Sequence, residues 1–145
     1  MKKMILTIAI ALSSLFVFAA EQNVNATVLN AFNKEFKGAQ QVEWTANEDY
    51  YKANFVFNGQ HVAAFYSTEG NMLAMTRNIS SLDLPLSLQT NLRNDYSSYW
   101  ISDLFEVSNA DGTNYYITME KADGKVMLKS NSGGKWSSYK KITKI

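Results

Sequence analysis

The chain has 145 residues, 46% of them hydrophobic, 19% charged and 13% aromatic, with one proline, seven glycines and no cysteine. This composition excludes a disordered or fibrous chain, and the missing cysteine excludes disulfide frameworks, thiolate zinc sites and cysteine nucleophiles. A formal charge of +1 and a single histidine, His61, exclude a general attraction for nucleic acid and any centre that needs two imidazoles.

Lys2 and Lys3 precede an uncharged run from Met4 to Ala20 made mostly of Ile, Leu, Ala, Val and Phe. The order of cationic start, apolar run and small-residue end is that of a secretory signal peptide. Its roughly 16 strongly apolar residues fall short of the ~20 that a membrane-spanning helix needs. Cleavage after Ala19 puts Val17 and Ala19 at the two small-residue positions, whereas cleavage after Ala20 puts bulky Phe18 at the first. The leader is therefore expected to be 1-19, or 1-20, and the mature domain, 20-145, to be periplasmic or secreted. No cysteine follows the apolar run to carry a lipid anchor, and no later segment is long and apolar enough to span a bilayer.

Without Lys2 and Lys3, twelve basic residues face thirteen acidic ones. The distribution is uneven: 125-145 holds six lysines and no acid, while all thirteen acids lie in 21-124. Such an asymmetry marks either an interaction tail or late strands whose Lys125, Lys129, Lys135, Lys140 and Lys141 pair with Glu106 and Glu120 across the sheet.

Val28, Leu29, Phe32 and Phe36 recur at helical spacing, with Asn25 as N-cap and Gly38 as stop, and predict a first helix of about three turns. Strands follow at Gln41 to Trp44, Tyr50 to Phe57, His61 to Tyr66 and Met72 to Arg77. Asn58-Gly59 between two of them is the signature of a tight hairpin, because both residues accept positive φ. Leu84, Leu88, Leu92 and Tyr96 predict a second helix, with Pro85 in its first turn. Tyr99 to Val107, Asn114 to Glu120, Val126 to Lys129 and Trp136 to Ile142 are the last strands, divided by Asp111-Gly112, Asp123-Gly124 and Gly133-Gly134.

Each half is thus one helix and four antiparallel strands, and Tyr50-Tyr51 and Tyr115-Tyr116 open equivalent strands. The expected fold class is α+β, one domain of two repeats, 24-79 and 82-145, because about 60 residues bury too little surface to stand alone. Both helices are expected on one face of a continuous antiparallel sheet, which leaves the other face open. Alternation puts Tyr51, Ala53, Phe55 and Phe57 on one side and Tyr50, Lys52, Asn54 and Val56 on the other. It likewise separates Tyr116, Thr118 and Glu120 from Tyr115, Ile117 and Met119. The mature chain holds seventeen aromatic residues, more than two short helices can cover, so some of Tyr50, Tyr66, Trp100, Tyr115, Trp136 and Tyr139 are expected on the open face as a binding surface.

The run Val28-Leu29-Asn30-Ala31-Phe32-Asn33-Lys34-Glu35-Phe36, then Val42-Glu43-Trp44 and Tyr51-Lys52-Ala53, resembles the opening of the PepSY-like family of candidate periplasmic proteins. Asn58-Gly59, Glu69-Gly70 and Leu84-Pro85 fit the same pattern, and the likeness covers nearly all of the mature chain. It implies a fold similar to that of β-lactamase inhibitor protein, a duplicated helix-plus-sheet module with a concave sheet, and no catalytic residues. That inhibitor is disulfide-bonded and this chain has no cysteine, so a shared fold does not carry a shared target.

The residues themselves offer little chemistry. His61 is the sole candidate base, sits two residues after a hairpin turn and has no Gly-x-Ser-x-Gly elbow to serve. Zinc would have to be held almost wholly by carboxylates, and neither Asn47-Glu48-Asp49 nor Asn109-Ala110-Asp111-Gly112 forms a calcium loop. Carboxylate pairs such as Glu43 with Glu120, or Asp103 with Glu106, have no separation fixed by the sequence. No glycine-rich phosphate loop is present. The expectation is a non-catalytic module without metal or cofactor that binds a protein or peptide, inhibition being one form of such binding. The alternative is a self-associating envelope scaffold.

Overall fold

The structure is a computed structural model and describes residues 24–131 and 133–143. The expected leader, 1-19 or 1-20, lies outside the described residues. Helix α1 (Ala26–Glu35) starts where Asn25 leaves extended backbone and its side-chain oxygen accepts the Val28 N–H at 2.9 Å. Such a cap satisfies one of the donors a helix start leaves unpaired. The helix ends as the Phe36 N–H closes on the Phe32 carbonyl, and Gly38, at φ 88°, turns the chain away.

Four strands follow: β1 (Gln40–Ala46), β2 (Tyr50–Phe57), β3 (Gln60–Ser67) and β4 (Met72–Asn78). A single 3-10 turn, Ser81–Asp83, leads into α2 (Leu86–Asp95), and then come β5 (Trp100–Asn109), β6 (Gly112–Lys121), β7 (Gly124–Asn131) and β8 (Ser137–Thr143). All eight strands form one antiparallel sheet in the order β1 to β8. The β2–β3 hairpin turns on Asn58 and Gly59, at φ 50° and 76°, so Phe57 pairs with Gln60 and every later pair in the hairpin is fixed. Pro85 caps α2 rather than entering it, and Leu84, just outside the helix, is buried.

Alternation along the strands sorts the sheet into two faces. Val28, Phe32 and Phe36 of α1 pack on Ala53, Phe55, Val62, Ala64 and Tyr66. Leu88 and Leu92 of α2 pack, with Leu84, on Leu104, Tyr115, Ile117, Met119, Val126 and Leu128. Fully burying one such aliphatic or aromatic side chain stabilises by about 1.5–3 kcal/mol. The register shows that both helices share a face, because Ala64 pairs with Met75, Arg77 with Glu106 and Glu106 with Tyr115 on the same side of successive strands. No helix among the described residues is long and apolar enough to cross a membrane.

The β3–β4 turn is locked to the start of α1. Asn25 Nδ2 donates to the Thr68 carbonyl at 2.8 Å, and Gly70, at φ 88°, lies so close that a Cβ there would sit 2.9 Å from Thr27 Cγ2. Both edges of the sheet carry irregularities. Pairing of β1 with β2 slips between Gln40 and Glu43, around Gln41 at φ 53°, and pairing of β7 with β8 slips between Met127 and Leu128. Bulges of this kind spoil an edge as a template for another strand.

Candidate functional site on the helix-free face

The face away from the helices holds six of the seventeen aromatic residues among the described residues: Tyr50, Phe65, Trp100, Phe105, Tyr116 and Tyr139. The register sets their order. Lys52 pairs with Phe65 and Phe65 with Ala74, while Asn78, Phe105, Tyr116, Lys129 and Ser137 form a straight row from β4 to β8. Phe105 and Tyr116 stack with centroids 5.3 Å apart and planes 8° from parallel. Tyr139, brought to this side at the β8 bulge, meets Tyr116 edge-on at 5.6 Å. At the other end Tyr50 lies 5.8 Å from Phe65.

Ala74, Phe105 and Val107 are at most 9% exposed although no helix covers them, with Phe65 and Tyr116 packed alongside. These side chains therefore shield one another and form a continuous apolar stripe from Tyr50 to Tyr139, while Trp100, opposite Glu120, stands apart from it. Trp100 and Tyr139 are 52% and 49% exposed. Rigid aromatic surface of this kind supplies contact area at small entropic cost.

Three of the six side chains expected here lie elsewhere. Tyr66 and Tyr115 are buried under α1 and α2, and Trp136 donates its indole N–H to the Leu88 carbonyl of α2 at 3.1 Å. Tyr50, Trp100 and Tyr139 are on the open face. Phe65, Phe105 and Tyr116, which sequence reasoning passed over, complete it. The signal was available: the two-residue turn at Asn58-Gly59 places Phe65 on the face of Lys52 and Tyr66 on that of Tyr51. Likewise Tyr115, directly before Tyr116, shares the face of Ile117 and Met119.

The charges of the face are as informative as the rings. Lys52 Nζ stands 5.6 Å from the Phe65 centroid and Lys129 Nζ 5.4 Å from that of Tyr116, both within cation–π range. Lys140 pairs with Met127 on this side, and Lys125 reaches Glu120 at 3.9 Å. The expected cross-strand cancellation of the late lysines is therefore largely absent. Among the described residues Lys125 is the one late lysine in an ion pair, and Glu106 is taken on the opposite face by Arg77 at 2.6 Å.

Two open clefts lie on the helix side, beside Tyr99. One, of about 450 Å³, is lined by Tyr96, Lys121, Asp123, Lys125 and Ser138. The other, of about 390 Å³, is lined by Leu82, Gln89, Leu92, Arg93, Ile101 and Met119. Among the described residues no three His, Asp or Glu side chains gather as metal ligands would. His61 is exposed near the start of β3.

The chain matches no family model and no curated protein. Its fold does match solved structures. A BLIP-like protein from Bacteroides fragilis superposes with a TM-score of 0.74 at 21% identity, covering 86% of this chain and 90% of that one. A candidate periplasmic protein from Bacteroides eggerthii gives 0.73 at 15% identity, over 84% and 90% of the two chains. A DUF2874 family protein from Bacteroides ovatus gives 0.72 at 19% identity, over 84% and 89%. The class is thereby defined: this is an α+β chain with the BLIP-like fold, an open antiparallel sheet bearing two helices on one side. At these identities the likeness establishes the fold alone.

Proposed function

We propose that the chain is an exported, non-catalytic protein-binding module of the PepSY-like type, formed of two helix-plus-four-strand repeats, whose helix-free sheet face engages a protein or peptide in the periplasm. One observation carries this reading: six aromatic side chains line the sheet face that no helix covers, and two of them are about half exposed. The BLIP-like and periplasmic descriptions of the similar structures support it. The bulged edges count against the alternative of a self-associating scaffold, since both outer strands are poor templates for a second copy.

The reading is tested by capturing an envelope protein with the mature chain, purifying it, and titrating it against the parent and a Trp100→Ala/Tyr139→Ala variant. Loss of at least about tenfold in affinity, the scale of one central interface aromatic, is the expected result. Unchanged affinity with both residues truncated would overturn it. Light scattering that gives a monomer is expected alongside; a dimer that hides Trp100 and Tyr139 from acrylamide would favour the scaffold.

A further inference from the structure

We infer that the occupant of the open face is an acidic, extended segment of a partner protein, with carboxylates directed at Lys52 and at the Lys129/Lys140 pair and an apolar stretch lying over Phe105, Tyr116 and Tyr139. The inference rests on the proposed binding role of this face and adds the chemistry of the partner. Its ground is charge complementarity. Lys52, Lys129 and Lys140 belong to the open face, and among the described residues none of them makes an ion pair. The acids of the strands on the same face are Glu43, opposite Asn54 and diagonal to Lys52 but in no ion pair with it, Glu120, engaged with Lys125, and Asp103, opposite Thr118.

Seating two of these lysines over rings stabilises the sheet modestly and at the same time fixes where their charges stand. Held there, the ammonium groups stay close to the apolar stripe while still facing solvent. A bare apolar ligand would desolvate them without return, whereas a ligand that brings carboxylates supplies the missing counter-charges. The spacing suits an extended chain. Lys52 on β2 and Lys129 on β7 are five strands apart and about four residues out of row, roughly 27 Å at ~4.8 Å per strand and ~3.3 Å per residue, the reach of about eight extended residues. Of the six lysines in 125-145, Lys129 and Lys140 supply the cationic end of the face, whereas Lys125 is paired with Glu120 and Lys141 lies opposite Val126 on the helix side.

The test uses the immobilised mature chain and a display library of random linear peptides long enough to span the row. The same selection is run on a Lys52→Gln/Lys129→Gln/Lys140→Gln variant and on the Trp100→Ala/Tyr139→Ala variant, each first shown to melt like the parent. The expected result is enrichment of peptides rich in Asp and Glu around an apolar centre. Their affinity should fall on the order of tenfold with the glutamine variant and weaken further in high salt. Enriched peptides that carry no excess of acid and ignore the lysine changes, yet are lost with the aromatic variant, would overturn the acidic partner while leaving the open-face reading intact. Enrichment indifferent to both variants, or none above the bare support, would overturn both. Lysine-dependent capture of phosphatidylglycerol vesicles, with no acidic peptides selected, would overturn the protein partner in favour of a membrane surface.

Discussion

Arg77 and Glu106 face each other across β4 and β5, guanidinium Nε to carboxylate Oε1 at 2.6 Å, on the helix side of the sheet where the α1 core gives way to the α2 core. Glu106 is the better shielded partner, with 14% of its side chain exposed against 36% for Arg77, and Arg77 also donates to Gln60 at 3.1 Å. The pair stitches the one strand junction that joins the two cores. Its exposure limits its worth, so a double-mutant cycle on Arg77→Ala and Glu106→Ala should return a coupling of about 1 kcal/mol that shrinks in high salt. Glu106→Gln, which keeps an acceptor, should retain part of it in urea unfolding.

Gly70 offers a sharper stability test. At φ 88° an added methyl is strained by the backbone alone, and here it would also stand 2.9 Å from Thr27 Cγ2 and 3.2 Å from the Thr27 carbonyl oxygen. Gly70→Ala should cost about 1–3 kcal/mol in chemical denaturation. Asn25→Ala, which removes the cap of α1 and the bond to Thr68, should cost about 1 kcal/mol. Because both changes act on one helix–turn junction, their sum should exceed the loss measured in the double variant.

The hydroxyl of Tyr66 is buried beneath α1, beside the Glu35 carboxylate but without a hydrogen bond of good geometry to it. Burial first, and the nearby Glu35 carboxylate second, push its pKa far above that of an ordinary phenol. Burial also raises Tyr115, with Glu106 adding to the effect. In the unfolded chain these phenols ionise near pH ~10. Their contribution to stability is therefore complete below that pH and lost as the solution becomes more alkaline, because the unfolded state then releases protons that the folded state retains. Tyr66→Phe should leave the melting temperature at neutral pH unchanged or raise it, since it deletes an unsatisfied polar atom. The same variant should flatten the fall in stability above pH ~10. A loss of melting temperature in Tyr66→Phe would mean that the hydroxyl has a partner.

Trp100, Trp44 and Trp136 should be separable by fluorescence. Trp44 packs against Phe32 and Trp136 is tied to α2, whereas Trp100 is half exposed. Trp100→Phe should remove the red-shifted, acrylamide-sensitive part of the emission and change stability by less than about 0.5 kcal/mol. It thus provides a silent reporter for anything that covers the open face.

Much of this architecture was legible in the residues. Tyr50 to Phe57 was delimited to the residue, because a β-rich run is bounded there by polar turns, and Asn58-Gly59 forced the next register. Asn25 and the spacing of Val28, Phe32 and Phe36 located α1. The membership of the open face was less legible. Tyr66 and Tyr115 carry polar handles that look suited to a surface, yet parity with Ala64 and Ile117 buries them. Trp136 precedes its strand, where period-two alternation does not apply, and its side is decided by a bond to α2, 48 residues away in sequence. The pairing of the late lysines was likewise beyond composition. Glu106 pairs with Arg77 because the β4–β5 register sets them opposite each other on the helix side, away from Lys129.

The strictly sequential order of the strands also bears on how this chain acquires its shape. Each strand pairs only with its neighbours in the chain, so no ladder waits for a distant partner and every closure is a hairpin, except the step over α2 between β4 and β5. Folding by short closures is fast for an antiparallel protein, since little loop entropy is lost before contacts repay it. A chain emerging amino terminus first from a narrow pore could zip the sheet strand by strand as it appears. The cationic end of the open face, on β7 and β8, would be the last part to form, so the proposed binding surface would be complete only once the whole sheet had emerged.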